Sequence, residues 1–304
     1  METSPKITII MPNYNRAALI GETIDSIRCQ TFTDWELLIM DDGSDDDTET
    51  IISQYKDERI QFFKMGRTGA VSSLKNIAIK KARGKLIAFI DSDDLWATAK
   101  LKKQVAAMEQ YPDAGFCLTG GYTFINKNEP VEYLYRQRDG VTVGNFFLPI
   151  FRSEVAAHIP ALIFRKNCVQ VSGYFDEAKL FSDPDFILSL ACHYKAVLLF
   201  EPLYYRRLHK HSDSDKNWEK GYVDWVSVIQ SYRIRKQISA TEAKAALFKL
   251  YINFGETCLK RRLATKAMKN FFKAWANKPL SIIPIKKTAK AVFYFFKWEG
   301  KLQN

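Results

Sequence analysis

Asp91, Asp93 and Asp94 place three carboxylates within four positions, directly behind the apolar run Leu86-Ile87-Ala88-Phe89-Ile90. Such a group repels itself unless a cation joins it. An apolar run of that length reads as a buried strand, and open α/β sheets bind ligands just beyond the carboxyl ends of their strands. Hard divalent cations take oxygen ligands, and Mg²⁺ commonly combines one or two carboxylates with waters and substrate phosphates. The cluster therefore points to a metal and a nucleotide, with a solvated acidic loop as the plain alternative. Strand alternation would turn Asp91 and Asp93 to one side and Ser92 to the other, and Asp94 is placed to cap the next helix. A second acidic group, Asp41-Asp42-Gly43-Ser44, also follows a strand pattern. A carboxylate there can accept hydrogen bonds from a base or a ribose, although Asp-Gly-Ser is equally ordinary turn chemistry. A third group, Ser182-Asp183-Pro184-Asp185, has the form of a helix start, with Asp as N-cap and Pro at the first position.

These groups need elements to hold them. Lys6 to Met11, Trp35 to Met40, Ile60 to Lys64 and Leu86 to Ile90 read as strands, and helical patterns lie between them. The first helix is expected to be capped by Asn15, with Ala18, Leu19, Ile24 and Ile27 on its apolar face. Helices over about 47–55 and 70–82 follow, then one over about 98–111. Strand and helix alternating in this way imply a mostly parallel sheet covered on both faces. Short apolar runs at 116–118, 161–164 and 197–200 would complete the sheet, and a helix starts near Pro184. Beyond Trp218 the pattern becomes purely helical, over roughly 218–237, 240–261, 263–276 and 284–298.

Four segments resemble, in order and spacing, the family 2 glycosyltransferases of GT-A fold. They are Ile9-Ile10-Met11-Pro12-Asn13-Tyr14-Asn15-Arg16, Met40-Asp41-Asp42-Gly43-Ser44, Gly69 with Lys75-Asn76 and Gly84, and Phe89-Ile90-Asp91-Ser92-Asp93-Asp94. The resemblance covers about residues 6–212. It implies an α/β, Rossmann-like fold with a mostly parallel central sheet and flanking helices, followed by a C-terminal helical extension. It further implies inverting, metal-dependent transfer from a nucleotide-diphosphate sugar, expected to be UDP-linked, to a glycan or lipid-linked glycan. By this resemblance Pro12 and Tyr14 line the uracil pocket and Asp42 contacts the base, although Tyr14 could equally be a strand-end aromatic. Asn15, Lys75, Asn76 and Ser92 join the donor-binding residues. Asp91 holds ribose or metal-bound water, and Asp93 binds Mg²⁺ or Mn²⁺.

Gly173-Tyr174-Phe175-Asp176-Glu177 and Ser182-Asp183-Pro184-Asp185-Phe186 resemble the family's acceptor-side segments, which makes Asp183 the catalytic base. Capping and catalysis can coexist there. Ser182 stands where the family usually has Glu, so an acceptor contact made by that Glu is in question. Tyr204 to Ser212 resembles the closing segment of the family, in which Arg206 or Arg207 would meet the diphosphate and His209 the metal. Two histidines in a basic loop are as readily surface residues, and His158 reads as a core or loop histidine. A 1–212 catalytic domain is expected, divided into a nucleotide-sugar half (1–97) and an acceptor half (98–212), with a basic, aromatic-rich region at 213–304.

Charge and composition set the remaining bounds. Of 304 residues, 47% are hydrophobic and 26% charged, ordinary globular values. The five dispersed cysteines read as free thiols in a reducing cytosol, Met1 to Pro5 lacks the look of a secretory leader, and a cytoplasmic protein is expected. From Lys260 onward twelve Lys and Arg face the single acid Glu299, an excess equal to the +11 of the whole chain. Residues 260–304 interleave this charge with aromatic blocks. They either form a bundle packed on the catalytic domain or lie on an anionic membrane at its inner, cytoplasmic face. Nucleic acid is not expected, since the aromatics are not spaced as stacking platforms. A non-catalytic nucleotide-sugar-binding or scaffold protein of the same fold is the alternative. A receiver-like domain fits neither the length nor the first motif, and a Rossmann dehydrogenase lacks its glycine fingerprint.

Overall fold

The computed structural model describes residues 4–125, 129–134, 140–209 and 216–299. The chain divides into two compact units, residues 1–212 and 213–304. The first is built on β1 (Ile7–Asn13), α1 (Ala17–Arg28), β2 (Trp35–Asp41), α2 (Thr48–Ser53), β3 (Ile60–Lys64), α3 (Val71–Lys81) and β4 (Leu86–Phe89). Then follow β5 (Leu95–Trp96), α4 (Lys100–Gln110), β6 (Ala114–Phe124), β7 (Pro130–Tyr133), β8 (Val141–Gly144), α5 (Phe147–Phe151), β9 (Leu162–Arg165), α6 (Val169–Ser172), α7 (Asp183–His193) and β10 (Lys195–Arg207).

The sheet runs in the order β3-β2-β1-β4-β9-β6-β10-β5, with β7 on β6 and β8 on β10. Along that path β1, β2, β3, β4, β6 and β10 share one direction, while β9 and β5 oppose it. This is an α/β fold with a mostly parallel central sheet. Ile7, Ile9, Ile10, Leu37, Ile39, Ile87, Ala88 and Phe89 are wholly buried, because helices cover both faces and strands in such a sheet are apolar throughout. The parallel strands β1, β2, β3 and β4 end on the same edge. There the chain turns: Asp42 donates its N–H to the Asn13 carbonyl at 2.8 Å and Met65 to that of Asp41 at 2.9 Å.

Several elements exceed the sequence expectation. The apolar runs at 116–118 and 197–200 are centres of much longer strands, β6 and β10, paired in parallel from Lys195↔Ala114 to Arg207↔Phe124. The pairing survives through register shifts around Pro202, which has no N–H to give a ladder. Arg206 and Arg207 consequently lie on a strand rather than in a loop. Asn15 does not cap α1: it has φ +49° and Arg16 is the N-cap. Ser182, rather than Asp183, is the N-cap of α7, and Asp183 is its first residue.

The second unit contains α8 (Trp218–Ile234), α9 (Ala240–Lys260), α10 (Ala264–Asn277) and α11 (Ile283–Glu299), where the helical periodicity puts them. Ser239 and Glu242 form a reciprocal capping box at the start of α9. The unit's core is narrow: Cys258, Ala267, Phe271 and Ala291 are buried, with Trp218, Ile252, Phe254 and Leu263 packed around them. Gly255 admits the Phe271 ring, since a Cβ there would lie 2.3 Å from the ring's edge. Among the described residues no helix is long and apolar enough to cross a membrane.

Candidate active site

Asp41 and Asp42 divide two tasks between them. Asp41 closes the turn, accepting from the Ser44 N–H at 2.8 Å, the Ser44 hydroxyl at 2.5 Å and Asn13 Nδ2 at 2.8 Å. Ordinary Asx-turn chemistry is therefore met by Asp41, and Asp42 is left to point elsewhere. Its buried carboxylate accepts from the Thr68 N–H at 2.7 Å, the Thr68 hydroxyl at 2.6 Å and the Gly69 N–H at 2.9 Å, and pairs with Arg67. Gly43 is needed between them: its φ is +75° and a Cβ would lie 2.6 Å from the backbone nitrogen of Arg67. The Arg67 guanidinium also lies over the Tyr14 ring, 3.6 Å from its centroid. Tyr14 and Asp42 thus face one slot, and a planar cation of the chain itself sits in it. Pro12 is buried in β1 opposite Met40.

The acidic cluster follows β4 as a turn, closed by the Asp94 N–H to the Asp91 carbonyl at 3.1 Å. The strand stops at Phe89, so the turn, and not pleat alternation, decides where Asp91 and Asp93 point. Ser92 is buried, and Thr23 of α1 donates to the carbonyls of Ser92 and Asp94 at 3.1 and 2.9 Å. Asp94 caps no helix. It accepts the Arg207 N–H at 2.9 Å, while Arg207 Nε donates to the Asp93 carbonyl at 2.9 Å and its Nη2 pairs with Glu22 at 2.9 Å. Arg207 therefore braces the turn from β10, whereas the charge of Arg206 acts on Asp91 and Asp94. Asp93 Oδ2 receives Arg16 Nε at 3.2 Å and lies 2.9 Å from His209 Nε2.

Removal from water dominates the titration of Asp91 and Asp94. Burial pushes Asp91 up to about 6; Lys75 pulls it back, and Asp93 and Asp183 add to the rise. Burial, with the Asp93 and Asp91 charges, also holds Asp94 well above the ordinary carboxylate range. A divalent cation would favour the ionised forms. The donor set suits one: two carboxylates and an imidazole, with hard oxygens predominating. Among the described residues no three such groups converge into a ready cage.

The opposite wall comes from α3, α7 and the segment before α7. Lys75, 3% exposed, donates from Nζ to Asp183 Oδ1 at 2.7 Å, and the Asp183 side chain keeps 38% of its exposure. Ser182 is buried and shares a 2.7 Å hydrogen bond with Ser72. Asn76 is engaged differently from the donor contact expected of it. Its Nδ2 donates to the Phe175 carbonyl at 3.0 Å and to Glu177 Oε1 at 2.7 Å, and its Oδ1 accepts from the Phe175 N–H at 2.9 Å. It clamps the 173–177 segment to α3. The Asn15 amide is likewise occupied, exchanging hydrogen bonds with Asp45 at 2.6 and 3.0 Å.

His158 stands in extended backbone before the turn 159–161. It senses the charges of both Arg206 and Asp183, and burial, aided by Arg206, lowers it to about 4, so it is neutral at neutral pH. Its ring lies 6.2 Å from that of Tyr204. Arg16, Arg67, Thr68 and His158 were absent from the expected site. Arg16 ends the first motif and Arg67-Thr68 directly precedes Gly69, so their neighbourhood was visible; His158 lies where the resemblance puts the acceptor loop and reads as a core or loop histidine. Lys210, His211 and Ser212 of the closing segment lie outside the described residues.

Comparison with known proteins gives a consistent picture. Residues 8–158 match the family described as glycosyl transferase family 2. The chain is 38% identical over 125 residues, 41% of its own length, to the Escherichia coli UDP-Glc:alpha-D-GlcNAc-diphosphoundecaprenol beta-1,3-glucosyltransferase WfgD. It spans about half the length of the curated relatives it matches, 49% and 55% for WfgD and for the putative teichuronic acid biosynthesis glycosyltransferase TuaG of Bacillus subtilis. Its fold is similar to that of S. aureus TarS 1-349 in complex with UDP-GlcNAc, at a TM-score of 0.64 and 16% identity, covering 98% of this chain and 91% of that one.

Proposed function

The chain belongs to glycosyl transferase family 2, and we propose that it transfers a sugar from a UDP-sugar to a lipid-linked glycan with inversion at the anomeric carbon. One observation supports this reading above the others: Lys75, which pairs with Asp183 at 2.7 Å on the α7 wall, also acts on Asp91 behind β4. This supports reading Asp183 as the base for the acceptor beside an acidic turn for the donor. WfgD is named for UDP-Glc and a diphosphoundecaprenol-linked GlcNAc, and TarS was solved with UDP-GlcNAc; both names support a UDP-sugar here and the first a lipid-linked acceptor.

In this reading Tyr14 and Asp42 hold the base once Arg67 has moved aside. Asp91 meets the ribose or a bound water, and Asp93 with His209 holds Mn²⁺ or Mg²⁺. The ion, when bound, offsets charge that gathers on the departing diphosphate. Arg206 supplies fixed positive charge on the same side. Asp183 takes the proton of the acceptor hydroxyl as its oxygen bonds to the anomeric carbon and the bond to the diphosphate breaks. Lys75 fixes that carboxylate by its 2.7 Å contact. The proposed location is peripheral, at the inner face of the cytoplasmic membrane, where a lipid-linked acceptor would be met.

The test is a melting-temperature panel of UDP-glucose, UDP-GlcNAc and UDP with and without Mn²⁺, followed by transfer to a diphosphopolyprenyl-linked GlcNAc. A ligand specific for the folded state raises the melting temperature. The expected result is a Mn²⁺-dependent rise with a UDP-sugar and release of UDP only when acceptor is present. No rise with any of them, together with no UDP release, would sink the proposal.

A further inference from the structure

Helix α11 packs inside out. A helix on a water-soluble bundle turns its large apolar residues inward and its small or polar ones outward. Here Ala291 is the residue buried in the core beside Cys258, Ala267 and Phe271, while Phe293 and Phe296 are 63% and 67% exposed. The outward residues Ile285, Val292, Phe293 and Phe296 recur at helical spacing, so they form one stripe along the exposed face. In the elbow before the helix Leu280 is fully exposed and Ile282 60% exposed, and Phe272 of α10 is 65% exposed as well. An exposed apolar stripe of this kind marks a site that something covers.

Charge selects what covers it. Lys286 and Lys290 are exposed directly beside the stripe, and Lys273 and Lys278 lie exposed along α10 and the elbow. The inward-leaning Lys287 is instead paired with Glu256. A second copy of this chain would bring the same excess of positive charge against itself, with Glu299 the only acid after Lys260. Nucleic acid would satisfy the lysines, but the aliphatic members Leu280, Ile282, Ile285 and Val292 offer no ring on which a base could stack. An anionic bilayer meets both requirements, since apolar side chains enter the acyl boundary while lysines reach up to the headgroups.

We infer that the outward stripe of α11 and the elbow before it form a docking surface for an anionic lipid bilayer, lying in the interface without spanning it. The inference rests on the membrane-facing reading given above and assigns that attachment to particular residues.

The full chain is to be sedimented with vesicles of phosphatidylcholine alone and of phosphatidylcholine with phosphatidylglycerol. Binding to the anionic vesicles is expected. It should be abolished in Phe293→Glu/Phe296→Glu and weakened about thirtyfold in Lys286→Gln/Lys290→Gln. Because these side chains are exposed, both variants should keep the wild-type melting temperature and the wild-type transfer to a short-chain, water-soluble acceptor. No sedimentation with anionic vesicles, or undiminished binding by Phe293→Glu/Phe296→Glu, would overturn the inference. So would a wild-type dimer in sedimentation velocity that the Phe substitutions dissociate, since a second copy would then be the cover. A chain that binds vesicles yet transfers no sugar leaves this inference standing and removes the proposed activity; the converse separates them equally.

Discussion

The two units treat charge and apolar surface in opposite ways. In residues 1–212 the sheet hides its apolar residues, and the charges that go in with them are given partners. Asp42 takes donors from three successive residues, and Lys75 has Asp183. Glu36 pairs with Arg83 and accepts from Thr8 at 2.6 Å; those contacts outweigh the upward push of burial and hold its carboxyl below the usual range. In residues 213–304 the core is small, and large apolar side chains face outward among lysines. A buried charge without a partner destabilises a fold strongly, and the paired carboxylate and ammonium of Asp42 and Lys75 stand where a polar ligand would meet them. Exposed aromatics gain nothing in water, so they point to a different medium.

Substitutions can break this contrast, and the largest effect is expected at Asp183. Asp183→Asn keeps an oxygen for Lys75 Nζ but cannot take a proton, so turnover should fall about a thousandfold while UDP binding in a calorimeter stays within a few-fold of wild type. Turnover that persists would remove Asp183 as the base. In the helical unit, Phe271→Ala empties the narrow core that Gly255 admits. It should cost about 3–5 kcal/mol in a denaturant melt, and a smaller loss would mean that the unit's stability comes from elsewhere.

Lys100 tests the cost of a buried charge directly. Its ammonium donates to Gln104 Oε1 at 2.7 Å and lies over the Trp96 ring, and burial lowers it to about 7. The unfolded chain holds that proton more tightly, so the stability linked to Lys100 is lost as pH falls toward 7. Between pH 7 and 9 stability should therefore rise with pH, with a slope approaching about 1.4 kcal/mol per pH unit. Above 9 the Cys117 thiol, which burial raises to about 12, opposes it, because the unfolded chain then loses protons that the fold keeps. Lys100→Met should flatten the rise in urea melts at the two ends of that window.

Arg67→Ala asks whether the guanidinium on Tyr14 competes with a base. Removing a cation–π and ion-pair contact that the ligand must break should tighten UDP binding about tenfold; weaker binding would make Arg67 a donor contact instead. The smallest effect belongs to Ser239→Ala, which removes the capping box of α9 and should lower stability by about 1 kcal/mol with transfer unaffected.

The central strands were legible because β1, β2 and β4 are buried on both faces and so are written as unbroken apolar runs. β7 was not: Pro130 to Tyr133 are all exposed, and an edge strand of that kind exists only through its partner, β6. The ends of β10 were illegible for a related reason, since Pro202 breaks the local pattern and the ladder with β6 carries the strand past it. In the site, Asp42, Asp91 and Asp93 stood out by spacing and by the strands before them, and Asp183 by the resemblance of its segment. Asn76, Ser92 and Asp94 belong to the same motifs, yet their side chains or carbonyls are spent on Phe175, Thr23 and Arg207.

By itself the sequence determined that strands and helices alternate, that carboxylates follow the strands at one edge, and that the positive charge lies at the end of the chain. These are properties of periodicity and local order, which neighbouring residues are enough to set. Only the tertiary structure decided which carboxylate closes a turn and which faces the slot, that Arg67 lies on Tyr14, that His158 senses Asp183, and that α11 turns its phenylalanines outward. Each of those depends on a side chain's direction, and that direction is set by partners distant along the chain: the Arg207 N–H that Asp94 accepts comes from 113 positions away.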